Sequence, residues 1–288
     1  LFVTDRIRFN EQWQTIIGGR EVRLDEKAFD EKTGNENRHT QQYVFLPQAS
    51  LIYKPVDNIS LYTSYSKGLS LGGTAPWIAN NSGDTLAPTV SRQIAAGVQS
   101  DLPRLSFTPA VFQTRQAYQY AKPDGAGQFT YVQQGEQKNT GLELSANGWA
   151  TDRLQIATSV AAIRARVNNS GTPDYEGHQA LNVPKLRASL YADYALPWMN
   201  GLAVLGGVQY SAKKYADRTG NVQVGDYAVV NVGSRYTTKI DGYETVFRLS
   251  VDNLFDKRYW RDAGEYLGDD YLFQGAPLTA RLSASVNF

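Results

Sequence analysis

The chain has 288 residues, a formal net charge of +1 and no cysteine. The near-neutral charge gives no reason to expect a nucleic acid as a partner, and the lack of cysteine excludes disulfides and thiolate metal sites. No run approaches 18 consecutive apolar residues, which excludes a membrane-spanning helix. The negative mean hydropathy does not exclude membrane-spanning strands, because half of each such strand is polar.

Apolar and polar residues alternate with a period of two in many segments, which predicts β-strands. In the last segment, "PLTARLSASVNF", Leu278, Leu282 and Phe288 share one face, whereas Arg281 lies on the other. In chain order we predict thirteen strands, near residues 2–9, 13–25, 42–54, 59–68, 90–100, 105–118, 129–148, 154–165, 184–196, 202–212, 227–238, 243–252 and 277–288.

The connections between these strands alternate in length. Six are short turns, and six are polar loops near residues 26–41, 69–89, 119–128, 166–183, 213–226 and 253–276. Short turns at one end and long loops at the other are typical of an up-and-down membrane barrel, whereas soluble sandwiches do not sort their loops in this way. Trp13, Trp149 and Trp198 lie beside short turns, where an interfacial aromatic girdle would hold them. The sequence therefore predicts an all-β, transmembrane, antiparallel up-and-down β-barrel whose apolar faces contact lipid.

The order of turns and loops also predicts how much of a barrel is present. In such barrels the short turns and the end of the last strand face the periplasm, so the first predicted strand must descend from the long-loop side. A complete bacterial barrel has an even number of strands and begins at the periplasm. We therefore expect residues 1–288 to be the C-terminal part of a larger barrel domain.

Six segments resemble, in order, the barrel of TonB-dependent outer-membrane receptors, and the ferric-siderophore subgroup in particular. They are "DRIRFNEQWQTIIGGREVRLD", "LPQASLIYKPVDNISLYTSYSKGL", "LAPTVSRQIAAGVQSDL", "QKNTGLELSANGW", "NLFDKRYW" and "GAPLTARLSASVNF". The third segment departs from the family pattern at Thr89 and Ala96. The resemblance implies about 13 strands of a barrel of about 22, located in the bacterial outer membrane. It also implies an N-terminal plug and a TonB-binding segment, neither of which is in this sequence, and a ferric siderophore as cargo, with no catalytic cofactor.

Candidate ligand-binding residues are found in the predicted long loops and the upper lumen. Aromatic rings can stack on a bulky chelate, and arginine complements anionic chelating groups. The candidates are Trp77, Arg115, Tyr118, Tyr120, Tyr131, Tyr175, Trp260 and Tyr266. For each of them, packing within the loops is the alternative to ligand contact.

Charged residues on the polar faces of the strands form a second group of candidates. Because charges are costly on the lipid side of a barrel, we expect these residues to contact water or the plug. They are Glu143, Lys185, Arg187, Asp193, Arg235, Arg248 and Arg281.

The sequence contains no constellation typical of an enzyme or a metal site. Its two histidines, His39 and His178, lie in predicted loops, and we interpret Asp269 and Asp270 as a solvated loop tip rather than a calcium site. Three alternatives to a receptor remain: a passive porin, a soluble all-β binding module and an outer-membrane enzyme. The sequence does not identify the cargo either, since siderophores, haem, cobalamin and some sugars enter through related receptors.

Overall fold

The computed structural model describes residues 1–29, 33–125, 127–266 and 269–287. Thirteen of the described strands form one antiparallel sheet, in which each strand pairs with its neighbours in chain order. They are β1 (Phe2–Arg8), β2 (Trp13–Phe29), β3 (Glu36–Val56), β4 (Ile59–Ser70), β5 (Thr89–Asp101), β6 (Leu105–Pro123), β7 (Phe129–Trp149), β8 (Leu154–Asn168), β9 (Leu186–Ala195), β10 (Leu202–Ser211), β13 (Tyr227–Ile240), β14 (Tyr243–Asp252) and β17 (Thr279–Asn287). The predicted all-β, up-and-down architecture is confirmed.

Two further hairpins lie within connections that we predict as irregular loops. Strands β11 (Lys214–Tyr215) and β12 (Gln223–Val224) pair with each other, as do β15 (Trp260–Tyr266) and β16 (Asp269–Gln274). The sequence predicts these segments as long polar loops and predicts no strand within them, which is wrong. Strands β11 and β12 have only two residues each, and β15 and β16 mix apolar and polar residues on both faces, so none of them produces an alternating pattern. Among the described residues, no helix has the length and apolar character needed to cross a membrane.

Strands β2, β3 and β6 extend well beyond the predicted boundaries, whereas β7 runs only one residue past its predicted end. Strands β2 and β3 have 17 and 21 residues, and β6 and β7 have 19 and 21. A transmembrane strand needs only about 9–11 residues, so these two hairpins project beyond the membrane at the long-loop end. Much of the loop predicted near 26–41 and the first half of the loop predicted near 119–128 are therefore strand. Outside lipid both faces of a strand meet water, and the alternation that reveals a membrane strand is no longer required.

The opposite end of the sheet is closed by short turns. Asp241 and Gly242, between β13 and β14, have φ angles of 51° and 86°, which suits a two-residue hairpin turn. The predicted girdle residues Trp13, Trp149 and Trp198 all lie at this end, with exposed fractions of 38, 44 and 77 %. Their position fits a membrane–water interface.

Cross-strand register divides the side chains of the sheet into an apolar and a polar face. On the apolar face Leu190 lies opposite Val208, and Leu249 opposite Leu282. Leu190, Leu249 and Leu282 are exposed to 44, 46 and 79 %, so no other described part of the chain covers this face. Arg248, on the polar face, lies opposite Ser283. An uncovered apolar face over many strands fits a surface that packs against lipid acyl chains.

Two neighbouring residues of β9 test this assignment of faces. Leu190→Arg places a cation on the apolar face, whereas Ser189→Arg places it on the polar face, between Ser159 and Gln209. An arginine near the lipid midplane costs about 2–4 kcal/mol, and far less in a hydrated lumen. Urea unfolding of the full-length protein in lipid vesicles should therefore show a loss of this size for Leu190→Arg only. Equal losses for both variants would contradict the assignment.

Candidate functional site

The aromatic residues that we predict from sequence meet at the long-loop end of the sheet. Tyr118 and Tyr120, near the upper end of β6, stack with their ring centroids 5.0 Å apart. Tyr175, from the 3-10 helix Pro173–Tyr175, packs edge-on against Tyr120 at 5.4 Å. The guanidinium of Arg218, in the connection between β11 and β12, lies 5.2 Å and 5.9 Å from the Tyr118 and Tyr120 ring centroids. Such distances are typical of cation–π contacts.

Arg218 also joins three separate parts of the chain. Its Nη1 donates a hydrogen bond to the Tyr118 hydroxyl on β6, and its Nε forms an ion pair with Glu265 on β15. The side chains of Arg218 and Glu265 are exposed to only 15 and 12 %. Burial alone would lower the pKa of Arg218, but Tyr118 and Glu265 outweigh that effect and raise it. We call Tyr118, Tyr120, Tyr175, Arg218 and Glu265 the tyrosine–arginine cluster.

The connection between β8 and β9 is fixed against this cluster by Tyr120. The Tyr120 hydroxyl donates to the main-chain oxygen of Ser170 at 2.6 Å. The hydroxyl of Ser170 in turn donates to the Glu176 carboxylate at 2.6 Å. That carboxylate also accepts a hydrogen bond from the main-chain N–H of Asn169. These hydrogen bonds lower the pKa of Glu176, and the one from the Ser170 hydroxyl has the largest effect. Burial, and then the nearby Glu265 carboxylate, raise the pKa of Tyr175.

A second set of polar contacts ties the same long connections together. Lys214 is 2 % exposed, and its Nζ donates to the main-chain oxygen of Arg261 at 2.5 Å. Asn182 accepts the main-chain N–H of Ala263 at 3.1 Å. The burial of Lys214 lowers its pKa. Hydrogen bonds therefore join the connections after β8, β10 and β14 to one another at the long-loop end of the sheet. We call these three connections the loop layer.

The other candidate ligand residues lie outside the tyrosine–arginine cluster and differ in exposure and in the face of the sheet they occupy. Trp77 and Trp260 are exposed to 76 and 45 %, so both can contact a solute. Tyr131 lies beside Gly73 and Gln119. Arg115 does not join the cluster, because it occupies the opposite face of β6 from Tyr118. The side chain of Tyr266 lies outside the part of the chain that the structure describes.

Two tyrosines of the cluster are too deeply buried for a ligand to contact them in this conformation. Tyr120 has no exposed surface, and Tyr118 is 6 % exposed, so a ligand could reach them only if the loops moved.

Arg218 and Glu265 are not among the residues predicted from the sequence. Nothing in "ADRTG" or "DAGEY" indicates that these residues pair with each other across 47 positions.

The predicted plug-facing residues of the strands share the polar face. Arg235 donates to both Asp193 carboxylate oxygens, at 3.3 Å and 3.0 Å, and Arg281 pairs with Asp252. By contrast, Arg187 and Arg248 have no ion-pair partner within the described part of the chain. The same holds for Glu143 and for Lys185, which immediately precedes β9. These four side chains are therefore not neutralised by an ion pair among the described residues.

Comparisons with known proteins agree with this architecture. A family model described as "TonB dependent receptor-like, beta-barrel" matches residues 1–254. The ferrichrome receptor FcuA of Yersinia enterocolitica is 24 % identical over 95 % of this chain and 36 % of its own length. The siderophore receptor PiuA of Acinetobacter baumannii is 27 % identical over 91 % of this chain and 37 % of its own.

Solved structures give the same result. BauA, the ferric preacinetobactin receptor of Acinetobacter baumannii, superposes with a TM-score of 0.80 at 26 % identity, over all of this chain and 42 % of its own. The ferric citrate transporter FecA, at 17 % identity and a TM-score of 0.77, shares the fold. The chain thus spans about two fifths of the length of FcuA, PiuA and BauA.

The ion pair of Arg218 provides a test of how the loop layer is held. Glu265→Gln keeps the shape of the side chain but removes its charge, which should cost roughly 2 kcal/mol of local stability. Hydrogen–deuterium exchange of the full-length protein should then accelerate at least about tenfold in 213–226 and 260–266. Asp152→Asn, which breaks an exposed pair with Arg104 at the short-turn end, is the control and should leave these segments unchanged. Unchanged exchange in Glu265→Gln would show that the pair does not hold the layer.

Proposed function

The chain belongs to the TonB-dependent receptor family, whose members are outer-membrane β-barrels of Gram-negative bacteria, and we propose that the whole protein imports a ferric siderophore. The family is one of receptors and transporters rather than enzymes. Residues 1–288 would supply the C-terminal part of one barrel domain of about 22 strands. The observation that carries the proposal is the family match over 254 residues together with relatives named for ferric siderophores.

The cargo is proposed as a class and not as one compound. The relatives include receptors named for ferrichrome, ferrioxamine and ferric pyoverdine. A receptor named for metal-pseudopaline is 25 % identical over the whole chain, so a similar degree of identity accompanies different chelates. Iron enters as part of the cargo, and we assign no resident metal or cofactor to this chain.

The layer of long connections suggests how the chelate would be received. The exposed rings of Trp77 and Trp260 offer stacking surfaces at the mouth. At the same end of the sheet, the tyrosine–arginine cluster joins three long connections, which would present the ligand with a preorganised surface. A ligand that reached Arg218 would have to compete with Glu265 for its guanidinium.

The polar face would hold the plug until TonB acts on the N-terminal region of the whole protein. Arg187, Arg248, Glu143 and Lys185 are the best candidates for plug contact, because they have no ion-pair partner in the described part of the chain. Asp193, Arg235 and Arg281 already take part in ion pairs within the sheet and are therefore weaker candidates.

Growth on defined ferric chelates tests the function most directly. A strain that lacks its other siderophore receptors should grow on at least one ferric siderophore when it carries the full-length protein. This growth should disappear when TonB is deleted. Growth or solute conductance that does not depend on TonB would favour the passive porin instead.

The role of Trp77 can be separated from a general effect of losing a tryptophan. Trp77→Ala should weaken binding of the transported chelate by about fivefold, because a stacking contact contributes about 1 kcal/mol. Trp198→Ala is a matched control, since Trp198 is equally exposed but lies at the opposite end of the sheet. Fluorescence titration of the purified receptor measures both affinities. Equal affinities of the two variants would remove Trp77 from the binding site.

Charge reversal tests the plug contacts. Arg187→Glu and Arg248→Glu should loosen the plug, which would raise the sensitivity of cells to large hydrophilic antibiotics. Arg153→Glu, in the turn between β7 and β8, should have no such effect. Heat-modifiable mobility on gels reports whether the barrel still assembles. Lost assembly in the first two variants would indicate a structural role in the barrel itself.

A further inference from the structure

An open bay lies on the polar, lumen-facing side of the sheet, across strands β7 to β10 and the adjoining parts of β13 and β14. Its volume is about 440 Å³, which falls within the range of about 300–1,000 Å³ that is usual for small-molecule sites. Its lumen-facing lining includes Ser145, Ser159, Ser189, Gly207, Gln209 and Asn231. We call this space the lumen bay.

Neutral hydrogen-bonding side chains cross the lumen bay from strand to strand. Ser145 lies opposite Ser159, Ser159 opposite Ser189, and Ser189 opposite Gln209. Neighbouring strands are about 4.8 Å apart, so these side chains span roughly 14 Å. Within the described part of the chain, the side chains of Ser159, Ser189 and Gln209 have no hydrogen-bond partner. Their hydroxyl and amide groups can therefore bind water or a solute in the lumen.

Gly207 on β10 leaves the centre of the lumen bay open. It lies opposite Tyr191 and Asn231, and the register on both sides is unbroken. A Cβ at position 207 would come no closer than 3.4 Å to its neighbours, so packing does not require a glycine here. A glycine inside a strand weakens the strand, and it often marks a place that a ligand or another backbone approaches closely.

Two other glycines on the same face are covered by aromatic rings. A Cβ at Gly97 would lie 2.6 Å from the Tyr62 hydroxyl oxygen, and a Cβ at Gly141 would lie 2.7 Å from the ring of Phe112. These rings fill the space over their glycines, whereas no described side chain folds over Gly207. The lumen wall is therefore open at the bay and filled on strands β4 to β7.

The lumen bay is nearly free of uncompensated charge. Among the described residues that line it, Asp252 alone carries a formal charge, and Arg281 pairs with Asp252. Two cations without an ion-pair partner in the described chain lie at its borders: Arg187, two positions from Ser189 on the long-loop side, and Arg248 on the short-turn side. A solute that has to move on must be bound weakly, at several places in turn, and a neutral polar wall provides such contacts.

The lumen bay and the tyrosine–arginine cluster share one face of β8. Ala165 packs against Tyr118 and Tyr120 in the cluster, and it lies six residues after Ser159 on the same strand. An even separation places both residues on the same face, and six residues correspond to about 20 Å. A solute that leaves the mouth along this wall would therefore reach the bay next.

We propose that the ferric chelate crosses the barrel through the lumen bay, between the plug and the wall formed by strands β7 to β10. The inference rests on the proposed function, and it names the part of the wall along which the cargo passes. A solute fits the bay better than a segment of the plug does, because the charges that could hold the plug lie at the borders. The bay itself offers open space and weak, neutral contacts.

Two adjacent glycines allow a matched test in the full-length protein. Gly207→Phe places a ring in the lumen bay, whereas Gly206→Phe places the same ring on the lipid-facing side, where a Cβ would meet no atom within 4 Å. The measurements are the TonB-dependent uptake of a ferric chelate that supports growth, its binding affinity, and the sensitivity of the cells to large hydrophilic antibiotics. Gly207→Phe should lower the maximal uptake rate by about tenfold or more at unchanged affinity, and Gly206→Phe should stay within about twofold of wild type.

A reversible block provides a second test, which remains available if Gly207→Phe does not assemble. The chain has no cysteine of its own, so Ser189→Cys and Leu190→Cys can each be made the single cysteine of the full-length protein. A bulky thiosulfonate reagent that attaches to Cys at position 189 should stop uptake, and a reductant should restore it. The same reagent at position 190, on the lipid-facing side, should leave uptake unchanged.

The possible failures of this inference and of the proposed function can be told apart. Wild-type uptake by Gly207→Phe and by the modified Ser189→Cys variant, or equal losses in both glycine variants, would overturn the path and leave the receptor function intact. Weaker chelate binding together with antibiotic entry in Gly207→Phe would show that the plug packs against the bay, which also overturns the path. If the wild-type protein takes up no ferric chelate, the proposed function and the path both fail.

Discussion

The structure depends on the requirement that every backbone N–H and C=O group inside a lipid bilayer be hydrogen-bonded within the protein. A sheet meets this requirement only if its strands pair continuously, and the thirteen strands do so in chain order from β1 to β17. Continuous pairing fixes the register, and the register fixes which side chains contact lipid. Leu190, Leu249 and Leu282 are therefore exposed because the solvent of that face is hydrocarbon.

At the long-loop end, side-chain contacts take over from backbone pairing as the main interactions that hold the chain. The long connections lie outside the lipid, so no apolar face packed against acyl chains fixes their position. A few specific side-chain contacts hold them instead. Arg218 contacts two tyrosines and Glu265, and Tyr120 anchors the connection that follows β8. Because most of these groups are buried, each contact needs the others to remain satisfied. Strand β6 contributes to both faces of the sheet, with Tyr118 on one face and Arg115 on the other.

Sequence alone predicted the sheet well because the bilayer imposes a period of two on every spanning strand. It failed where that constraint ends: the hairpins β11–β12 and β15–β16 lie outside lipid, and so do the unpredicted ends of β2, β3 and β6 at the long-loop side. Tyr118, Tyr120 and Tyr175 were found by residue type, but Arg218 and Glu265 were not. Their pairing depends on how three separate connections fold together, and no local pattern records it.

Solvent accessibility in a bilayer measures the central claim directly. Nitroxide labels at Leu249 and Leu282, in the full-length protein reconstituted into vesicles, should collide readily with oxygen dissolved in lipid and rarely with a water-soluble nickel complex. Labels at Ser250 and Ser283, one position away on the other face, should be poorly accessible to oxygen. The same accessibility on both faces, or leucine positions that are open to the nickel complex and closed to oxygen, would contradict the assignment of lipid and lumen.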